Sequence, residues 1–121
     1  MAHADLEKAR ECHEKIRDLI VRHPGGWQDD ASLLTLRGLC RAAAAAADDR
    51  ECATPLASIE RYAVDLFSAS GHDKWARKST SGPVFLRLQI LRELEWFRAR
   101  LFVLGAARAA TARKPVFRRY E

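Results

Sequence analysis

Histidine, cysteine and clustered carboxylates are the side chains here that could do chemistry, and their spacing decides which chemistry is open. His13 follows Cys12 directly, but adjacent residues of a helix point about 100° apart, so the two do not chelate one ion. His13 also falls on an apolar stripe with Leu6, Ala9, Ile16 and Ile20, which assigns it to a core or its boundary. Glu7, Glu11, Glu14 and Asp18 lack the Glu-x-x-His arrangement of di-iron bundles and read as a solvated face. His23, Asp29, Asp30, His72 and Asp73 lie in or beside connectors, where spacing fixes no ligand geometry. No catalytic residue, metal site or cofactor is expected.

Cys12, Cys40 and Cys52 are odd in number and widely spaced, which predicts reduced thiols in a cytoplasm rather than disulfides or a zinc module. Ser79, Thr80, Ser81 and Gly82 lead into a helix start beside Arg77 and Lys78, a place where free N–H groups attract anions. A phosphate-binding P-loop needs a glycine where Arg77 stands and a strand before it. A nucleotide triphosphatase is therefore rejected, and N-capping by Ser81 is the expected use. Arg17 and His23, with five residues between them, resemble in spacing the Arg/His pair of HEPN ribonucleases, also small dimeric helical bundles. In such an enzyme His23 would act on the ribose 2′-hydroxyl and Arg17 would hold the phosphate. The family's pair lies late in the bundle, whereas this one lies on the first helix with unrelated flanks, and membership is not claimed.

Four helices must position these residues. Asp5 caps a first helix that carries the His13 stripe and ends at His23-Pro24-Gly25-Gly26. A second begins after Asp29 or Asp30 and aligns Leu33, Leu36, Cys40, Ala43 and Ala47, its alanine run allowing close approach of a neighbour. Asp48 to Ala53 reads as a polar connector, with Thr54-Pro55 opening a third helix that carries Leu56, Ile59, Ala63, Leu66 and Phe67. After a long polar loop, Pro83 opens a helical pattern running to about Arg113. No segment alternates at period two for long enough to predict a strand. The fold class is all-α, an antiparallel four-helix bundle with a long C-terminal helix. At 121 residues this is one domain, 1–114, with a short basic tail at 115–121.

The last helix carries two apolar stripes. Leu86, Ile90, Leu94, Phe97, Leu101 and Leu104 form a core seam, while Val84, Phe85, Leu88, Leu91, Trp96, Phe102 and Val103 lie on other sides. At roughly 45 Å against about 25 Å for the others, the helix should overshoot the bundle. The overshoot is expected to bare Leu101, Phe102 and Leu104, with Phe97 below them, as a self-association surface. The alternative is a break at Gly105 that folds the remainder back.

In an up-down-up-down bundle the first and third connections share an end, which gathers Trp27, His72, Trp75, Arg77 and Lys78 as partner-binding candidates. Charge is uneven: residues 1–82 carry net −1 and residues 83–121 net +6. Arg100, Arg108, Arg113, Lys114, Arg118 and Arg119 are therefore the candidates for a nucleic-acid contact. No apolar run approaches the length of a membrane span, and the first residues lack an apolar signal core. The sequence thus predicts a cytoplasmic, non-catalytic interaction protein, homodimeric through its last helix and binding an unknown protein partner. The alternative is a nucleic-acid binding or nucleic-acid-associated subunit using the basic helix.

Overall fold

In a computed structural model of the chain, the described residues are 4–22, 29–68 and 82–117, with side chains described as far as residue 111. They form four α-helices, α1 (Leu6–Arg22), α2 (Asp30–Ala47), α3 (Arg50–Phe67) and α4 (Gly82–Phe117). No strand occurs among them. No helix among the described residues is long and apolar enough to cross a membrane.

Aspartates open three of the helices, because a carboxylate just outside the first turn accepts N–H groups that have no partner inside it. Asp5 accepts from the Lys8 N–H at 3.0 Å. Asp29 accepts from the N–H of Ser32 at 3.0 Å and from its hydroxyl at 2.7 Å. Asp49 accepts from the Cys52 N–H at 3.1 Å. Between α2 and α3 only Asp48 and Asp49 remain. Asp48 takes φ 46°, a left-handed conformation that aspartate tolerates better than most residues, and its N–H donates to the Ala44 carbonyl at 3.0 Å.

The connector expected at Asp48 to Ala53 is therefore mostly helix, and α3 begins five residues ahead of Pro55. The proline misleads because it is at home in a first turn, but here it sits one turn inside, where it removes only the bond to the Glu51 carbonyl. Burial of Cys52 and Pro55 holds that extra turn against the core.

The inner faces match the apolar spacing. α1 buries Leu6, Ala9, Cys12, His13, Ile16 and Ile20, and α2 buries Leu36, Cys40, Ala43, Ala46 and Ala47. α3 adds Leu56, Ile59, Ala63, Leu66 and Phe67, and α4 adds Leu86, Ile90, Leu94, Phe97 and Leu101. α1 packs on α2 and α4, and α3 packs on α2 and α4. Backbone bonds fix which ends meet: the Asp5 N–H donates to the Ala46 carbonyl at 2.6 Å, and the Asp29 N–H to the Phe67 carbonyl at 2.9 Å. The Gly-Gly-Trp27 and His72 to Gly82 loops lie outside the described residues save for Gly82.

α4 has 36 residues and is about 54 Å long, against 17 or 18 residues and about 27 Å for the others. It runs unbroken through Gly105, so the alternative of a break there is set aside. It also continues through Pro115 to Phe117, beyond the expected boundary at 114. That proline has no N–H, so the helix continues past it without the bond to the Thr111 carbonyl, one turn back. A Cβ on Gly105 would lie 2.9 Å from Arg10 Nη2, the mobile end of an exposed side chain. Gly105→Ala is therefore expected to raise stability by about 0.5–1 kcal/mol, because alanine favours the helix and Arg10 can step aside. A lower urea midpoint in the variant would show that Arg10 is fixed where it stands.

Candidate functional site

The two stripes of α4 part company. Phe97 is 0% exposed and Leu101 2%, whereas Phe102, one residue on, is 76% exposed. Phe97 and Leu101 belong to the chain's own core, and Leu104 is half-buried against it. Of the four residues expected to mediate self-association, only Phe102 presents itself to solvent. The rest of the chain covers α4 further than expected, since the residue before the start of α1 reaches it: Arg108 Nη2 donates to the Ala4 carbonyl at 2.8 Å. Of the side chains described past Leu104, Ala106, Ala107, Ala109, Ala110 and Thr111 are small and exposed.

Most of the large exposed apolar side chains lie instead along the outer side of α4, between Val84 and Val103. Phe85, Leu88, Arg92, Glu95, Ala99 and Phe102 recur at steps of three and four, and all are exposed. Such a run forms one face, and this one lies about 180° from the core seam of Ile90, Leu94 and Phe97. Val84 borders it on one edge, Trp96 and Val103 on the other, each more than half exposed. Leu91, expected in this set, is partly buried against the core. The face is a long apolar strip interrupted by one cation and one anion.

The arginines of α4 have mostly inward-directed work. Arg87 Nη2 donates to the carbonyls of Ile20 and Val21 at 3.3 and 3.4 Å, placing a cation at the C-terminal end of α1, where the helix dipole favours it. Arg100 grips Asp49 with two parallel bonds, Nε to Oδ2 at 2.9 Å and Nη2 to Oδ1 at 3.0 Å, and lies 3.3 Å from the Glu51 carboxylate. The Arg100 hydrogen bond, helped by the Cys52 N–H, holds the Asp49 carboxyl below its ordinary pKa despite partial burial. Arg100 and Arg108, two of the six nucleic-acid candidates, are thus engaged within the chain. The side chains of Arg113 and Lys114, and the whole of Arg118 and Arg119, lie outside the described residues. Trp27, His72, Trp75, Arg77 and Lys78 also lie outside them.

A groove between α1 and the outer edge of α4 is lined by Arg10, His13, Glu14, Glu95, Arg98 and Phe102, among others. His13 is buried, with Nδ1 3.5 Å from a Glu14 carboxylate oxygen and its ring 6.1 Å from that of Phe97. Its Nε2 has no hydrogen-bond partner among the described residues. No thiol there is ready to act as a nucleophile. All three cysteines are free and buried. Burial pushes the Cys40 and Cys52 thiols up to about 12, aided by Glu60 and Asp49 respectively, and raises that of Cys12. Among the described residues no three His, Cys, Asp or Glu side chains gather where a metal could be held. His13 thus packs beside the Phe97 ring with one exposed carboxylate near its Nδ1.

Sequence reasoning missed the arginine contacts, because they join residues 51 to 104 positions apart that no local pattern links. The second apolar set of α4 is legible in the step pattern, but the sequence points to Leu101, Phe102 and Leu104 rather than to the length from Phe85 to Phe102 as the exposed surface. No family model, curated protein or solved structure matches the chain.

Proposed function

We propose that the chain is an antiparallel four-helix bundle that works by binding: a non-catalytic interaction protein that assembles as a homodimer through the outer face of α4. The observation that carries this reading is the strip of Phe85, Leu88 and Phe102, edged by Trp96 and Val103, exposed along a helix whose opposite side is fully buried. Large exposed apolar side chains aligned on one face, even with one cation and one anion between them, are typical of an interface rather than of a solvated helix. The end relations of the helices support the bundle topology, and three free buried thiols fit a reducing compartment such as the cytoplasm. The loop end with Trp27 and Trp75 is assigned to a protein partner, because two tryptophans in connectors are suited to anchoring one.

Mass by light scattering across a gel-filtration peak tests the reading. The wild type is expected at twice 13.7 kDa. Leu88→Asp combined with Phe102→Asp is expected at the mass of one chain, with its helical circular dichroism unchanged, since neither side chain is in the core. A wild type that stays at one chain's mass at high micromolar concentration would remove the reading. Nucleic acid co-eluting at low salt and lost at high salt would turn attention to the basic end of α4.

A further inference from the structure

The outer face of α4 carries a charge pattern that selects one arrangement of two copies. Phe85, Leu88, Arg92, Glu95, Ala99 and Phe102 follow the three–four alternation of a heptad seam. Arg92 and Glu95 are the charged residues in that seam and both are exposed. Arg92 makes no ion pair among the described residues. Among the described residues Glu95 pairs with the exposed Arg98 at 3.6 Å, an i,i+3 contact of little strength that another partner can replace.

We propose that two copies of the chain dock through this face with their α4 helices antiparallel, related by a two-fold axis that passes between Glu93 and Leu94. This rests on the reading of the chain as a homodimer and adds its direction, register and selecting residues. In a two-fold interface, if residue i meets residue j of the second copy, then j meets i. With the axis at this point Arg92 lies opposite Glu95 of the second copy, and the pair occurs twice. Phe85 then lies opposite Phe102 of the second copy, and Leu88 opposite Ala99, so that a large side chain meets a small one. Every seam position from 85 to 102 finds a counterpart of fitting size or opposite charge. The contact spans about 26 Å of helix.

Other arrangements fail on the same residues. A parallel, in-register pair sets Arg92 against Arg92 and Glu95 against Glu95, like charges at the centre of an apolar contact. Sliding the antiparallel pair by one heptad in one direction places Arg92 against Phe102 and Glu95 against Ala99. Sliding it in the other places Arg92 against Leu88 and Glu95 against Phe85. Either slide covers two charges without a partner, a penalty that the correct register avoids. From the exposed fractions of Val84, Phe85, Leu88, Trp96, Phe102 and Val103, two such faces remove on the order of 1,000 Å² or more from water, the size at which specific interfaces begin.

Charge exchange tests the register. Arg92→Glu alone and Glu95→Arg alone are each expected to weaken dimerisation about tenfold or more, measured by sedimentation equilibrium, because each opposes like charges twice. Combining the two reverses both partners and is expected to return the dissociation constant to within a few-fold of wild type. Cysteine pairing gives an independent readout, since the native thiols are buried. Leu88→Cys with Ala99→Cys should yield an oxidised covalent dimer, whereas Ala99→Cys alone should not, because its two copies stand about 16 Å apart along the axis. A covalent dimer from Ala99→Cys alone would overturn the antiparallel arrangement. Single charge variants that dimerise as tightly as a dimeric wild type would overturn the register, while the dimer itself would stand. A monomeric wild type would overturn the underlying reading instead.

Discussion

Phe97→Ala is expected to cost about 3–5 kcal/mol of folding stability, while Phe102→Ala, five residues along the same helix, is expected to change the folding of an isolated chain by less than about 0.5 kcal/mol. Phe97 is wholly buried, one of the largest side chains in the core, and its removal leaves a cavity and strips His13 of its ring neighbour. Phe102 loses almost nothing within its own chain because it touches little there. The two variants should separate cleanly by experiment. Phe97→Ala lowers the urea midpoint at every protein concentration. Phe102→Ala is expected to lower it mainly at high concentration, where the proposed dimer would add to apparent stability. Equal effects at low concentration would mean that Phe102 is covered by the chain's own residues.

Asp49→Ala is expected to cost about 2 kcal/mol, the upper end of the range for a lost helix cap, because the same carboxylate also receives both Arg100 bonds. Asp49→Asn separates the two roles: asparagine still caps α3, but it cannot offer two carboxylate oxygens to a guanidinium. The sign of the pH dependence follows from the lowered pKa of Asp49 in the folded chain. Its stabilisation is fully present above about pH 4, the unfolded carboxyl value, and is lost as pH falls through the lower folded value. In wild type the urea midpoint should drop across that acid range. In Asp49→Asn this part of the drop should vanish, leaving a shallower profile from the other carboxylates. Parallel profiles for the two proteins would show that Arg100 gains nothing from the ionised form.

What the sequence made legible was whatever repeats along a single helix. The His13 stripe, the Leu36-Cys40-Ala43-Ala47 line and the Leu86-to-Leu101 seam are all set by a period of 3.6, and all are buried. Boundaries followed where no rival start signal lay downstream, as at Asp5 and at the Asp29-Asp30 pair, and slipped where Pro55 gave a stronger but misplaced start signal than Asp49. The extent of the overhang was misjudged for a different reason. Where α4 leaves the bundle depends on where α1 begins against it, a relation between residues about a hundred positions apart, seen in the bond from Arg108 to Ala4. The arginine excess read as a possible phosphate surface for the same reason. Composition counts charges, but only the folded chain shows that Arg87, Arg100 and Arg108 are turned toward helix ends.

The alanines buried on α2 set the balance between ordering and driving force in this fold. Ala43, Ala46 and Ala47 enter the core without losing any side-chain rotamers, so the C-terminal half of α2 is placed at an entropy cost that is almost purely that of its backbone. They also bring little apolar area of their own. The transfer free energy that drives collapse comes chiefly from the branched and aromatic residues around them, Ile16, Ile20, Ile59, Leu66, Phe67 and Phe97. This half of α2 acts as a thin spacer that lets those larger groups close on one another, and its tolerance is accordingly one of shape: added bulk at the wholly buried Ala43 would force the packed core apart, whereas the exposed Leu34 lies outside that constraint.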